Sequence, residues 1–238
     1  MSISVVLPVY NEESTIEKVL RDYNREMQKL PDFEMIVVDD CSVDSTPGIL
    51  AGLSRELPSL KVLKTDVNSG HGASLMLGFA NAGKQMIFYT DSDECFRADD
   101  FWKLYNNRDK AALISGCRVN RKDPAERIII SRIVKLFIKI MFGIKITDPN
   151  SSFKLIRKQH VLSIETTLRK HGIKTCTMAP SIVFSIVAAG KNELLEVPVE
   201  YFPRKNNRSC LRGLKLLKFC ITGLWGLFLL KSVMPEMR

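Results

Sequence analysis

The sequence predicts an α/β fold, with a mostly parallel central sheet flanked by helices and basic amphipathic helices towards the C-terminus. Three observations carry this expectation. Short apolar runs without alternation recur along the first hundred residues, as strands buried on both faces require. Segments of helical spacing separate them, so strand and helix alternate in the order of a parallel sheet with crossover helices. Three of the runs stop at polar groups, at Tyr10-Asn11-Glu12, Asp39-Asp40 and Asp91-Ser92-Asp93. Open α/β sheets bind ligands beyond such strand ends.

Residues 3–7 form the first apolar run, which ends at Pro8. Residues 13–29 carry Ile16, Val19, Leu20 and Tyr23 on one helical face. Asn11 or Ser14 is the candidate cap, and Glu12, Glu13 and Glu17 suit a helix N-terminus. Residues 35–38 read as the second strand, and Asp44-Ser45-Thr46 opens the next helix with Pro47 in its first turn. Residues 61–63 read as strand, 71–82 as helix, 86–89 as strand running into Asp91, 99–106 as helix and 111–114 as strand. The second half differs. Residues 127–146 are apolar, with Arg132, Lys135, Lys139 and Lys145 spaced through them. Residues 151–156 are strand-like, 177–189 helix-like and 194–202 strand-like. The basic cluster from Arg204 to Arg208 precedes a second basic apolar stretch at 213–231. A domain over residues 1–204 and an appendage over 205–238 are the expected units.

At 238 residues the chain fits one large domain or a domain with an appendage, and 45% hydrophobic against 26% charged residues supports a packed core. The net charge of +9 is unevenly spread: residues 1–100 hold 9 Lys/Arg and 17 Asp/Glu, residues 101–238 hold 26 and 9. An acidic half suits a cation and a basic half suits an anionic surface; a generally solubilising basic surface is the plainer reading. The six cysteines form no C-x-x-C and have no histidine at zinc spacing, which argues against a disulfide framework or structural zinc. The N-terminus carries no basic leader and no apolar h-region, so no secretory signal is expected. The longest apolar run, 219–230, is short of the ~20 residues that span a bilayer. The stretches 127–146 and 213–231 read as helices lying in a membrane interface with Trp225 at the boundary, or as core helices or an oligomer contact.

Asp91-Ser92-Asp93 sets two carboxylates at a strand end, where they can share a hard divalent cation with phosphate oxygens. A capping pair of aspartates is the structural alternative. A D-x-D-x-T/V phosphatase is a rival that Cys95 fits poorly. Asp39-Asp40 can accept hydrogen bonds from a base or ribose, form an Asx turn, or stand for the acidic pair of a receiver domain. Asn68 to Ala73 (NSGHGA) is a Gly-rich turn before a helix, which either presents backbone N–H groups to a phosphate or caps the helix. Arg118 and Arg132 follow the fifth strand, and Arg204 and Arg208 sit in the late basic cluster. All four are phosphate clamps or solvated surface charges.

In this order, residues 7–12 (LPVYNE), 38–46 (VDDCSVDST), 68–73 (NSGHGA), 91–93 (DSD), 115–118 (SGCR) and 148–154 (DPNSSFK) resemble the inverting family-2 glycosyltransferases. Within them they resemble the dolichol- and polyprenyl-phosphate sugar synthases, over about residues 3–204. The resemblance implies a GT-A fold, a UDP- or GDP-sugar donor, Mg²⁺ or Mn²⁺, and a polyprenyl- or dolichyl-phosphate acceptor. It implies work at the cytoplasmic side of a membrane, peripheral or monotopic, with no nucleic acid partner; a homo-oligomer or a membrane partner subunit stays open. By position Pro8, Tyr10, Glu12, Val37 and Asp39 would line the nucleoside pocket, and Gly72 and Ser92 would also touch substrate. Asp91 and Asp93 would serve metal and diphosphate, with Asp93 counted as catalytic. Arg118 and Arg132 would address the acceptor phosphate, and Arg204 and Arg208 the donor diphosphate. Three departures stand out. Cys41 replaces the Gly of D-G-S-x-D. Cys95 takes the place of a usual Gln, leaving Glu94 as the candidate substitute ligand. Asn207-Arg208-Ser209-Cys210 replaces a late Gly-x-Ser-Lys pattern. A soluble or glycan hydroxyl acceptor, or a non-catalytic membrane-bound scaffold, are the alternative readings.

Overall fold

The structure, a computed structural model, describes residues 1–120, 125–177, 179–202 and 214–237. Seven strands form one sheet: β1 (Ile3–Val9), β2 (Phe33–Asp39), β3 (Leu60–Lys64), β4 (Met86–Tyr89), β5 (Leu113–Val119), β6 (Lys154–Arg157) and β7 (Leu194–Glu200). Their spatial order is β3-β2-β1-β4-β6-β5-β7. Every neighbouring pair is parallel except those of β6, which runs against both β4 and β5. The α/β class and mostly parallel sheet expected from the apolar runs are therefore observed. All seven residues of β1 are buried, as are all four of β4, because helices cover both faces.

The covering helices are α1 (Ile16–Met27), α2 (Thr46–Glu56), α3 (His71–Asn81), α4 (Phe101–Tyr105), α5 (Ala125–Phe142), α6 (Lys158–Lys170), α7 (Pro180–Gly190) and α8 (Leu214–Val233). Two apolar clusters fill the layers. One gathers Leu7, Leu20, Met35, Phe88, Phe101 and Phe153. The other joins Val6, Tyr89, Ile138, Val161 and Phe184 to Leu227, Leu230 and Met234 beyond residue 204. Among the described residues no helix is long and apolar enough to cross a membrane.

Local differences from the sequence expectations have physical reasons. The first helix begins at Ile16 rather than near residue 13, and neither Asn11 nor Ser14 caps it. Residues 11–13 instead bond across to the loop after β2. Asn11 N–H donates to Ser42 Oγ (2.9 Å), Glu12 N–H to Thr46 Oγ1 (2.9 Å) and Glu13 N–H to Asp44 Oδ2 (3.2 Å). The strand expected at 151–156 shrinks to β6, because residues 148–153 form a turn whose polar groups face inward. Helix α6 escaped the sequence reading, although His160, Val161, Ile164 and Leu168 repeat at helical spacing on its buried side.

Candidate active site

All parallel strands leave the sheet at one edge, and the loops beyond β1, β2 and β4 meet there. The loop after β4 is tied to that after β1. Ser92 Oγ donates to the Pro8 carbonyl (3.2 Å), and Thr15 Oγ1 donates to the Ser92 carbonyl (3.0 Å). Three non-glycine residues at this edge, Asn11 (φ 54°), Cys41 (φ 62°) and Glu94 (φ 57°), adopt the left-handed backbone region. Each costs about 1 kcal/mol for a residue with a Cβ. Such clustering of strained turns is frequent at functional sites. Cys41 stands where the family pattern has Gly, and its φ is the one a glycine adopts without strain.

The two acidic pairs differ in their partners. Asp39 is buried and accepts from the Ser42 N–H (3.0 Å). Asp40, also buried, accepts from the Ser69 N–H (2.8 Å), the Gly70 N–H (2.7 Å) and Thr65 Oγ1 (3.0 Å). It thereby holds the Gly-rich turn at the start of α3. Gly70 has φ 86°, and a Cβ on Gly72 would lie 2.5 Å from the Cys176 carbonyl oxygen. Both glycines are thus required by backbone geometry in the turn.

Asp91 is held by side chains. Ser152 Oγ donates to its Oδ2 (2.5 Å), and His71 Nε2 lies 3.1 Å from its Oδ1. An ionised carboxylate only accepts, so this contact puts the histidine proton on Nε2. Asp93 is buried and accepts from the Cys95 N–H (3.2 Å), while the Cys95 carbonyl accepts from the Phe202 N–H (2.9 Å). The chain leaving β7 therefore runs beside the Asp93 loop. Glu94 pairs with Lys18 at 2.9 Å.

Arg118, near the end of β5, grips Asp148 through both forks: Nε to Oδ2 at 2.7 Å and Nη2 to Oδ1 at 2.9 Å. The Arg118 N–H also donates to Asp148 Oδ2 (3.2 Å), and the guanidinium sits 5.2 Å from the Tyr201 ring centroid. Both side chains are nearly buried, so losing either partner would cost about 3–5 kcal/mol. Glu196 on β7 receives the N–H groups of Thr147 and Asp148. Beneath this turn lies Lys154, fully buried, whose ammonium donates to the carbonyls of Pro149 and Ser151. Burial pushes its pKa down to about 7, against the opposing pull of Asp148, Glu196 and Asp91.

The structure brings Pro8, Ser92, Asp91 and Asp93 together at one edge. Tyr10 and Glu12 lie on the loop joined to that of Asp39, and Tyr10 is exposed. Gly72 stands in the first turn of α3, which His71 links to Asp91. Val37 is fully buried in β2, packed within the core rather than at the strand end. Arg132 is exposed on α5, and among the described residues no hydrogen bond joins it to the Asp91 network. Arg204 and Arg208 lie outside the described residues. Sequence reasoning missed Ser152, Asp148, Glu196 and Lys154 as parts of one construction. Their motif was visible, but its partners are far away in the chain.

Comparison with known proteins agrees with this geometry. Among curated proteins, the chain is 26% identical over 218 residues to an undecaprenyl-phosphate 4-deoxy-4-formamido-L-arabinose transferase of Salmonella choleraesuis, covering 90% of this chain and 64% of the relative. The chain thus spans just under two thirds of the length of that relative. Among solved structures, glucosyl-3-phosphoglycerate synthase of Mycobacterium tuberculosis, with Mn²⁺, UDP-glucose and phosphoglyceric acid, superposes with a TM-score of 0.71 at 17% identity, over 97% of this chain and 80% of that one. S. aureus TarS 1–349 with UDP-GlcNAc gives 0.58 at 22% identity, over 88% and 60%. These likenesses establish the GT-A fold. The profile of "Glycosyl transferase family 2" matches residues 4–164, more than half of the chain. The chain belongs to glycosyl transferase family 2.

Proposed function

We propose that this chain transfers a sugar from a UDP- or GDP-linked donor to a polyprenyl- or dolichyl-type lipid phosphate, with inversion at the anomeric carbon and a divalent metal. The observation that carries the reading is the meeting of Asp91 and Asp93 with the other strand-end loops at one edge of a family-2 fold. The lipid acceptor is supported by the relative named as an undecaprenyl-phosphate sugar transferase. The donor and metal are supported by the fold neighbours solved with Mn²⁺ and UDP-glucose or with UDP-GlcNAc.

Asp91 and Asp93 offer hard oxygen donors. Among the described residues no group of three or more His, Cys, Asp or Glu is arranged to hold a metal. Mg²⁺ or Mn²⁺ would therefore share its shell between Asp91, Asp93, diphosphate oxygens and water, an arrangement this donor set fits. Bound there, the ion supplies charge neutralisation for the leaving diphosphate.

The chain's own residues position the rest. Pro8, Tyr10, Glu12 and Asp39 line the nucleoside side, with Val37 packed behind Asp39, and Gly72 and Ser92 border the diphosphate. Asp148 pre-orients the Arg118 fork, and Arg118 with Arg132 addresses the acceptor phosphate. Arg204 and Arg208 are assigned to the donor diphosphate, as guanidinium groups suited to phosphate. One acceptor phosphate oxygen forms a bond to the anomeric carbon as the bond from that carbon to the diphosphate oxygen breaks, and the nucleoside diphosphate leaves with the electron pair. An ionised phosphate needs no general base, so catalysis rests on positioning and charge stabilisation.

The enzyme works at the cytoplasmic face of a membrane, peripheral or monotopic, with 205–238 as its interface appendage. Support comes from α5 and α8, which touch through Phe137 and Phe228 (centroids 5.6 Å apart) and expose Ile133, Leu136, Ile140 and Trp225. Residues 127–146 and 201–233 contain no Asp or Glu, as suits anionic headgroups.

A donor panel tests the reading: nucleotide release from UDP- and GDP-sugars, with and without Mn²⁺ and polyprenyl phosphate, on anionic liposomes. One donor is expected to release nucleotide only when both are present. Release that ignores Mn²⁺ or polyprenyl phosphate would overturn the metal or the acceptor respectively. Failure to co-sediment with anionic liposomes at low salt would overturn the membrane location.

A further inference from the structure

The 148–152 turn touches the candidate site twice. At one end Asp148 grips Arg118, and at the other Ser152 donates to Asp91 Oδ2 (2.5 Å). A turn of five residues has little rigidity of its own, so something must fix the separation of these two contacts. The fixing groups lie underneath. Lys154, fully buried, donates from Nζ to the carbonyls of Pro149 and Ser151. Ser185 Oγ on α7, which donates to the Ser181 carbonyl (2.8 Å), packs 3.4 Å from the same Pro149 carbonyl. From the side, Glu196 receives the N–H groups of Thr147 and Asp148.

A fully buried lysine whose ammonium donates to backbone carbonyls is costly unless it organises something. Here the two carbonyls belong to the stretch between the two site contacts. Lys154 also lies in β6, opposite Tyr89 of β4 and Ser115 of β5, so it is anchored to the strand that leads into Asp91 and to the strand that carries Arg118. An ammonium offers three donors and a neutral amine two, so both carbonyls are served in either protonation state.

We propose that Lys154 is a positioning residue: by holding the Pro149 and Ser151 carbonyls it sets Ser152 against Asp91 and Asp148 against Arg118, so that one buried side chain aligns the metal-side and acceptor-side groups together. This rests on the proposed metal-dependent transfer, with Asp91 as a metal-side carboxylate. Lys154→Met keeps the bulk and removes the donors, and Ser152→Ala cuts only the link to Asp91.

The experiment measures binding of Mn²⁺ with UDP and of Mn²⁺ with GDP to the full chain, by loss of the free Mn²⁺ spin-resonance signal, beside thermal melting. Lys154→Met is expected to weaken Mn²⁺–nucleotide binding at least about tenfold, the usual scale for removing a group that orients a metal ligand. Ser152→Ala should weaken it with little change in melting, and Lys154→Gln, which keeps an amide donor beneath the turn, takes the place of Lys154→Met if that variant does not fold, again with weaker Mn²⁺–nucleotide binding expected. In turnover assays with polyprenyl phosphate, Lys154→Met should also raise the acceptor KM, whereas Ser152→Ala should leave that KM near the parent value. Folded variants that bind Mn²⁺–nucleotide as the parent does overturn the positioning role and leave the proposed function intact. A parent chain that binds neither Mn²⁺–nucleotide pair overturns both.

Discussion

Asp40 and Asp91 follow strands β2 and β4 at the same edge, with the same chemistry and opposite employment. Asp40 is consumed by its own backbone: two N–H groups of the Gly-rich turn and a threonine hydroxyl surround its carboxylate. Among the described residues Asp91 is held by the side chains of Ser152 and His71, each brought from another element. Backbone partners fix a loop as part of the fold. Side-chain partners can change on binding, and a carboxylate held by them remains able to serve a ligand. The difference teaches that an acidic residue at a strand end is read by what it bonds, rather than by its position alone.

Substitutions can break this contrast. Asp91→Asn or Asp93→Asn should lower metal-dependent nucleotide release by about 10²–10³-fold or more while melting moves little, measured by coupled assay and calorimetry. Asp40→Ala should do the reverse. It strips a buried acceptor from two N–H groups and should cost about 3 kcal/mol, seen as a lower denaturation midpoint, with the remaining folded fraction still binding nucleotide.

The Asp91 side also rests on Lys154, whose folded pKa of about 7 lies below its ordinary 10.5. Between those values the unfolded chain holds a proton that the folded chain lacks, so stability should rise with pH across that window. The slope approaches about 1.4 kcal/mol per pH unit from this one group. Denaturant midpoints from pH 7 to 10 should show that rise in the parent and a flatter profile in Lys154→Met. Smallest of all, Cys41→Gly relieves a left-handed residue at the Asp39-Asp40 corner and should gain up to about 1 kcal/mol, less the added freedom of glycine in the unfolded chain.

Much of this architecture was legible in the sequence. The unbroken apolar runs of β1, β2 and β4 announce burial on both faces, and the polar groups after them mark the ligand edge. Amphipathic spacing likewise revealed α1 and α5. The direction of β6 was not legible, because four residues carry no signal of which neighbour they oppose. Nor was the burial of Lys154, since a lysine in a strand-like run ordinarily reads as the solvent face. The embrace of Asp148 by Arg118 joins residues 30 positions apart. Each alone looks like a surface charge, and only the sheet order brings them together. The sequence leaves the Asp39-Asp40 pair between a ligand-side role and a turn, because nothing in a strand-end aspartate tells how many amides will surround it.

The Arg118–Asp148 clasp has a consequence for how such a chain can vary. The stretch between them contains α5, whose Ile138 and Phe142 lie in the core with Val6 and Tyr89 while Ile133, Leu136 and Ile140 face outward. The clasp and this buried side hold the helix in place, so its exposed apolar side chains can change without moving Asp91, Asp93 or the turn that carries Ser152. What the helix shows to its surroundings is thus free to be rewritten, while its inner face and the clasp keep their coordinates.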